Sequence, residues 1–179
     1  MRNEEALAIE AQIPALRRYA RALMRDPERA DDLVQDCLER SVSRFEQFTP
    51  GTNLRTWLFT IMHNLYCDEM RRVRRRGPHV PVSEWESSAQ TPPTQSSAVE
   101  MREFEEAFKR LPERDQQLLM LVAVEGFSYE EVSEVLDVAV GTVKSRLFRA
   151  RGRLRALQEE RRARRDQHDM AELRVAAQA

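Results

Sequence analysis

The stretch FSYEEVSEVLDVAVGTVKSRLFRARGRLRAL, residues 127–157, decides the fold. Ser128 and Glu131 stand three apart, as in a capping box: the hydroxyl serves one backbone N–H of the first turn, and the carboxylate reaches back to another. Phe127 precedes that cap and Val132 follows it by four, the spacing of a hydrophobic staple. Val132, Val135 and Leu136 then make a short apolar stripe, which predicts a short helix. Asp137 to Ala139 break the pattern. A second helix is expected to begin near Val140 to Thr142, with Gly141 or Thr142 as its cap.

At about 100° per residue the second helix can be read face by face. Val143, Leu147, Ala150, Leu154 and Leu157 fall within one narrow arc, the side expected to be buried. Ser145, Phe148, Arg149 and Gly152 lie opposite, and Lys144, Arg146, Arg151, Arg153 and Arg155 occupy the flanks. A crest of small and bidentate-capable groups between cationic shoulders suits a DNA major groove, where the crest reads base edges and the shoulders meet phosphates. Gly152 costs roughly 1 kcal/mol in a helix interior, so its place on the crest points to close approach by another molecule. A solvated face on an ordinary bundle helix would share this composition. It would not explain the capped first helix, the short turn and the two-sided charge together.

The rest of the 179-residue chain fits around that unit. Charged residues are 33% of it, yet the net charge is −1, so distribution carries the information. Positive charge is nearly all arginine, the better residue for bidentate contacts to phosphate and guanine, and it clusters at Arg71 to Arg76 and Lys144 to Arg165. The acidic residues between these clusters imply a separate surface for a cationic partner. Cys37 and Cys67 lack the spacing of a disulfide framework or zinc site, and no metal or cofactor is expected. His63, His79 and His168 are scattered and no Gly-rich phosphate loop occurs, so an enzyme is not expected. No run reaches the roughly 20 apolar residues of a membrane span, which predicts a cytoplasmic protein without membrane insertion. With five glycines and no alternating strand pattern, the fold is expected to be all-α: two small helical domains joined by a flexible linker, the second a four-helix domain with the helix-turn-helix.

From the N-terminus, Ile9, Ile13, Leu16, Tyr19, Ala20 and Leu23 have helical spacing, with Pro14 either kinking this helix or starting its main part. Asp26-Pro27-Glu28 reads as a cap, a first-turn proline and a dipole-favoured acid. The helix that follows runs to about Phe45, with Leu33, Val34, Cys37, Leu38 and Val42 inward and Asp31, Asp32, Gln35, Asp36 and Glu39 outward. That outward face is either simply solvated or a docking surface. After the turn-rich segment Phe48 to Asn53 a third helix runs from Leu54 to about Arg76, with Leu54, Leu58, Ile61 and Leu65 as its buried stripe. Trp57, Thr60, Asn64 and Arg71 line one flank, where an aromatic, a hydroxyl, an amide and a cation could serve single-stranded nucleic acid.

Gly77 to Ala98, rich in Pro, Ser, Thr and Gln, reads as the linker. Val99 to Arg110 then predicts a helix with Met101, Phe104, Phe108 and Leu111 inward, and Pro112 opens another that Gly126 ends, with Leu118, Leu119 and Val122 facing the core. The divisions are therefore 1–76, 77–98, 99–160 and a C-terminal tail, 161–179, that extends the last helix and then frays.

Four blocks in this order resemble the extracytoplasmic-function (ECF) sigma factors, the two-domain class of bacterial RNA polymerase initiation subunit. They are ADDLVQDCLER (Ala30 to Arg40), GTNLRTWLFTIMHN (Gly51 to Asn64), LPERDQQLLML (Leu111 to Leu121) and GFSYEEVSEVLDVAVGTVKSRLFRAR (Gly126 to Arg151). The second and fourth also look like the general-stress-response subgroup. The resemblance implies an alternative sigma factor with core RNA polymerase, promoter DNA and an anti-sigma factor as partners. Asp31, Asp32, Gln35 and Glu39 match the helix that docks on the polymerase clamp coiled coil. Phe48, Thr52 and Asn53 in the loop, and Asn64 on the helix whose flank carries Trp57, match the region that captures an unpaired non-template base of the minus-ten element. Lys144, Ser145, Phe148 and Arg149 match the helix that enters the major groove at the minus-thirty-five element, with Thr142 near a phosphate and Arg153 on the shoulder. Where many members have glycine this chain has Asp137, so its turn is expected not to require a positive φ there. A free-standing helix-turn-helix regulator is the alternative. It would bind a specific duplex without polymerase, usually a palindrome.

Overall fold

A computed structural model describes the backbone of residues 3–24, 26–76 and 95–176, and the side chains within those spans apart from 76, 95–100 and 166–176. Most of the expected linker, 77–94, lies outside the described residues. Among the described residues all regular structure is helical.

The first domain holds α1 (Asn3–Glu10), α2 (Ile13–Met24), α3 (Pro27–Ser43), a short 3-10 turn (Phe45–Gln47) and α4 (Leu54–Arg76). The N-terminal helix is broken in two, and Pro14 stands in the first turn of α2, where its missing N–H leaves no bond unmade. Asp26 caps α3 by accepting from the Glu28 and Arg29 amides at 3.0 and 3.1 Å. Leu16, Tyr19 and Ala20 of α2 meet Leu33, Val34 and Cys37 of α3 and Leu58, Phe59 and Met62 of α4 in a closed core.

Two expected stripes are corrected. On α4 the fully buried apolar residues are Leu58, Phe59, Met62 and Tyr66, while Leu54, Ile61 and Leu65 are half-buried. Partners pack α4 from more than one side, α3 and α2 from its own domain and the second domain besides, so its buried arc is wider than one stripe. On α3, Val42 is 49% exposed and Ser41 is buried in its place. Burial costs Ser41 little, because its hydroxyl donates to the Leu38 carbonyl at 2.8 Å.

The second domain holds α5 (Gln95–Lys109), α6 (Glu113–Leu119), a π-helical turn (Met120–Val124), α7 (Tyr129–Leu136) and α8 (Val140–Ala176). Helix α5 starts four residues before the expected Val99, inside the assigned linker. Met101 and Phe104 are exposed rather than inward; the α5 core positions are Ala107 and, just beyond its end, Leu111. The assigned tail is continuous with α8 and pairs with α5: Arg161 contacts Glu106 and Arg165 meets Glu103 at 2.6 Å, while just before the tail Glu160 meets Arg110, one residue past α5, at 3.1 Å.

The capping box at α7 forms as expected, with the Glu131 amide donating to Ser128 Oγ at 3.1 Å and the Ser128 amide donating to Glu131 Oε2 at 2.8 Å. Its C-terminus differs. Asp137 has φ +49°, left-handed, so the turn does require the conformation that glycine favours. The Val138 amide donates to the Ser133 carbonyl and the Asp137 amide to that of Glu134, a Schellman closure with aspartate at the left-handed position. Aspartate is among the few residues that tolerate it. Helix α8 begins one residue before the expected caps: Ala139 accepts from the Thr142 and Val143 amides, and neither Gly141 nor Thr142 is the cap.

The two domains pack together, α4 on α7 and α2 on α6, into one continuous core. Phe59 and Phe127 meet across this joint with ring centroids 4.8 Å apart.

Candidate nucleic-acid interface

Val143, Leu147 and Ala150 seat α8 in the core, which fixes its rotation. Lys144, Ser145, Phe148, Arg149 and Gly152 all point to solvent. Ser145 Oγ donates to the Thr142 carbonyl at 3.1 Å, and Arg149 Nε donates to the Ser145 carbonyl at 3.2 Å. Arg149 therefore lies along its own crest, partly pre-ordered for a bidentate contact. Phe148 is 81% exposed, an apolar ring held out among cations. Nothing of the protein crowds Gly152. Arg153 is different: its guanidinium contacts the buried Asp115 and ties α8 to α6.

In the first domain Phe45, Phe48 and Trp57 form an aromatic cluster, with centroids 5.4 to 6.2 Å apart. Gly51, at φ +91°, turns the loop, and Thr52 Oγ1 donates to the Thr49 carbonyl at 2.7 Å. Asn53 caps α4, its Oδ1 accepting from the Arg55 and Thr56 amides at 3.0 and 3.3 Å. Its Nδ2 donates to Glu131 of the second domain at 2.5 Å. Asn64 lies exposed about 16 Å further along α4, at 1.5 Å per residue. Thr60 bonds its own helix at the Thr56 carbonyl, and Arg71 pairs with Asp68.

The acidic face of α3 is open: Asp31, Asp32, Gln35, Asp36 and Glu39 are all exposed. Gln35 donates to Glu39 at 2.9 Å, and Arg17 stands 3.8 Å from Asp31. Between α4 and the second domain lies a cleft of about 420 Å³, with Arg71, Arg74, Arg114 and Arg146 beside His63 and Cys67. Burial pushes the His63 imidazole down to about 4 and raises the Cys67 thiol, whose Sγ lies 3.4 Å from His63 Nε2. Neither cysteine is disulfide-bonded, and no group of three metal-ligating side chains forms among the described residues.

The family model for the Sigma2 domain of PhyR matches residues 9–63, and that for Sigma-70, region 4 matches residues 101–154. The ECF RNA polymerase sigma factor EcfG of Rhodopseudomonas palustris (strain TIE-1) is 41% identical over 149 residues, 83% of this chain and 82% of that one. The chain belongs to the ECF sigma factors. A second relative, the ECF sigma factor SigM of Mycobacterium tuberculosis (strain H37Rv), is 32% identical over 142 residues, 79% of this chain and 70% of its own. Among solved structures, the complex of the sigma factor RpoE with the anti-sigma factor NepR from Bartonella quintana matches with a TM-score of 0.70 and 35% identity, over 87% of this chain and 95% of that one.

As an alternative sigma factor this chain directs transcription initiation, and its expected site residues fall into three groups. Thr142, Lys144, Ser145, Phe148 and Arg149 share the start and crest of α8. Phe48, Thr52, Asn53 and Trp57 gather at the start of α4, with Asn64 further along. Asp31, Asp32, Gln35 and Glu39 share the outer face of α3. Arg153 stands apart from the crest in its pair with Asp115. Sequence reasoning missed Glu125, which is buried with Arg18 and Arg55 around it. A glutamate closing an apolar helix just before Gly126 was the available signal, but its partners are 107 and 70 residues away.

Proposed function

We propose that the sigma factor divides promoter recognition between its domains. Residues 99–160 dock on duplex DNA at the minus-thirty-five element, with Arg149 and Lys144 reading base edges, Phe148 contacting an apolar base face, and Thr142 and the arginine shoulders meeting phosphates. Residues 1–76 act at the minus-ten element, where the loop from Phe48 to Asn53 and the α4 flank carrying Trp57 and Asn64 stabilise an extruded base, offsetting an unstacking cost of a few kcal/mol. The outer face of α3 docks the negative charge of Asp31, Asp32 and Glu39 on a cationic surface of core RNA polymerase, its clamp coiled coil. The protein works in the cytoplasm, without catalytic chemistry of its own, and an anti-sigma factor restrains it, as NepR binds RpoE in the solved relative.

The observation that carries this reading is the seating of α8: a buried Val143–Leu147–Ala150 side forces Lys144, Ser145, Phe148 and Arg149 outward on one crest. Arg149→Ala should relax preference at one upstream base by about 1–3 kcal/mol while leaving strand opening intact once bound. Asn64→Ala should leave upstream docking intact and reduce opening, read as permanganate reactivity of unpaired thymines. Equal loss of both steps in both variants contradicts the division.

A further inference from the structure

The joint between the domains is held by a buried charge. Glu125 has a side chain 0% exposed, and among the described residues its carboxylate bonds to two arginines, both from the other domain. Arg18 grips it with a two-pronged fork, Nε to Oε1 and Nη2 to Oε2, each 3.1 Å, and Arg55 Nη2 adds a bond of 2.7 Å to Oε2. The Arg55 guanidinium also lies 4.6 Å from the Phe127 ring centroid and 5.5 Å from that of Phe59.

Local backbone aims these groups. The π-helical turn closes with the Glu125 amide donating to the Met120 carbonyl at 2.9 Å, which rotates Glu125 relative to an ordinary α-helical exit. Gly126 then reverses the chain at φ +70°, so Glu125 and Phe127 both meet the first domain. Close by, Glu131 Oε1 takes Asn53, while Oε2 stays in the α7 capping box.

Within this apolar joint the ion pair is the part most sensitive to a single change: a buried carboxylate gives up its hydration, ion pairing roughly breaks even against that loss, and removing one partner leaves the other charge unpaired. The same closure gathers Arg71, Arg74, Arg114 and Arg146 around one cleft, where Asp68 pairs with Arg71 and Glu113 pairs with Arg74.

We propose that Glu125, held by Arg18 and Arg55, latches the sigma factor closed with Asn53 engaged by Glu131, and that the latch must release before the loop can take an unpaired base. The second half of this statement rests on the promoter role given to Asn53 above.

The test uses the full chain with spin labels at Arg44 and Glu159, in a Cys37→Ala, Cys67→Ser background whose fold is checked by circular dichroism. The unsubstituted latch should give one narrow interlabel distance. Glu125→Gln, and separately Arg18→Gln with Arg55→Gln, should lower the closed-to-open ratio roughly tenfold or more and broaden the distribution to longer distances. Both should also raise transcription at limiting core polymerase. As a second arm, Arg74→Cys and Glu113→Cys, whose native side chains lie 3.8 Å apart across the joint, are bridged by a short bis-maleimide. The bridged protein should lose promoter opening and the unbridged one keep it. A distance distribution unmoved by either latch variant overturns the latch. Opened variants without a gain, together with a bridged protein that still opens promoters, overturn its inhibitory role. Failure of the sigma reading itself looks different: the unbridged, unsubstituted protein would support no transcription at all.

Discussion

His63 shows how one side chain ties stability to pH. It is half-buried in the cleft wall, and burial favours the neutral form and lowers its pKa to about 4 from an ordinary 6.5. The unfolded chain takes up this proton as pH falls below about 6.5, whereas the folded chain refuses it until about 4. Stability that is present above that window is therefore lost as pH falls through it, on the order of 3 kcal/mol from this residue. His63→Gln should flatten the difference between urea midpoints at pH 7 and pH 5, relative to the unsubstituted protein. An unchanged pH slope would mean that the imidazole is solvated. Arg153 makes a related point. Its position on the shoulder suggested a phosphate contact, but Asp115, 38 residues earlier, holds it in a partly buried pair.

Helix α7 shows what is legible at the scale of an element. Its start could be read because every participant lies within six residues: Ser128 and Glu131 form the cap by local geometry, and Phe127 and Val132 on either side of it are both buried. The Asp26 cap of α3 was readable for the same reason. Its end could not be read from the absence of glycine, because the Schellman closure demands a left-handed residue whatever residue stands there, and Asp137 supplies it at φ +49°. Asp137→Val should therefore cost about 1–2 kcal/mol in urea denaturation, since a β-branched residue is a genuine outlier at positive φ. Asp137→Gly should be neutral or stabilising. A tolerated valine would show that the turn can close without the left-handed residue. The stripes of α4 and α5 were misread for another reason. Periodicity finds a face but not the number of neighbours: α4 is buried from more than one side, and α5 turns Ala107 inward while Met101 and Phe104 remain exposed.

For the whole molecule, four sequence blocks in order were enough to give two helical domains and the sigma-factor family. They did not reveal how the domains meet. That joint depends on Glu125 reaching Arg18 and Arg55, and on Phe127 packing against Phe59, contacts between residues far apart in sequence and unrelated by any periodicity. The same arrangement brings the basic end of α4 and the start of α8 to one cleft, so Arg71 and Arg74 of one charge cluster and Arg146 of the other are neighbours in the folded chain. In the proposed division of labour the domains act on separate stretches of DNA, with polymerase setting their spacing. The most direct measurement is transcription by core RNA polymerase from a pool of random promoters, with and without this protein. Transcripts that appear only with the protein and share two upstream sequence blocks at fixed spacing are the predicted result. No stimulation, together with tight binding of the protein alone to a single duplex site, would contradict it and favour a regulator that works without polymerase.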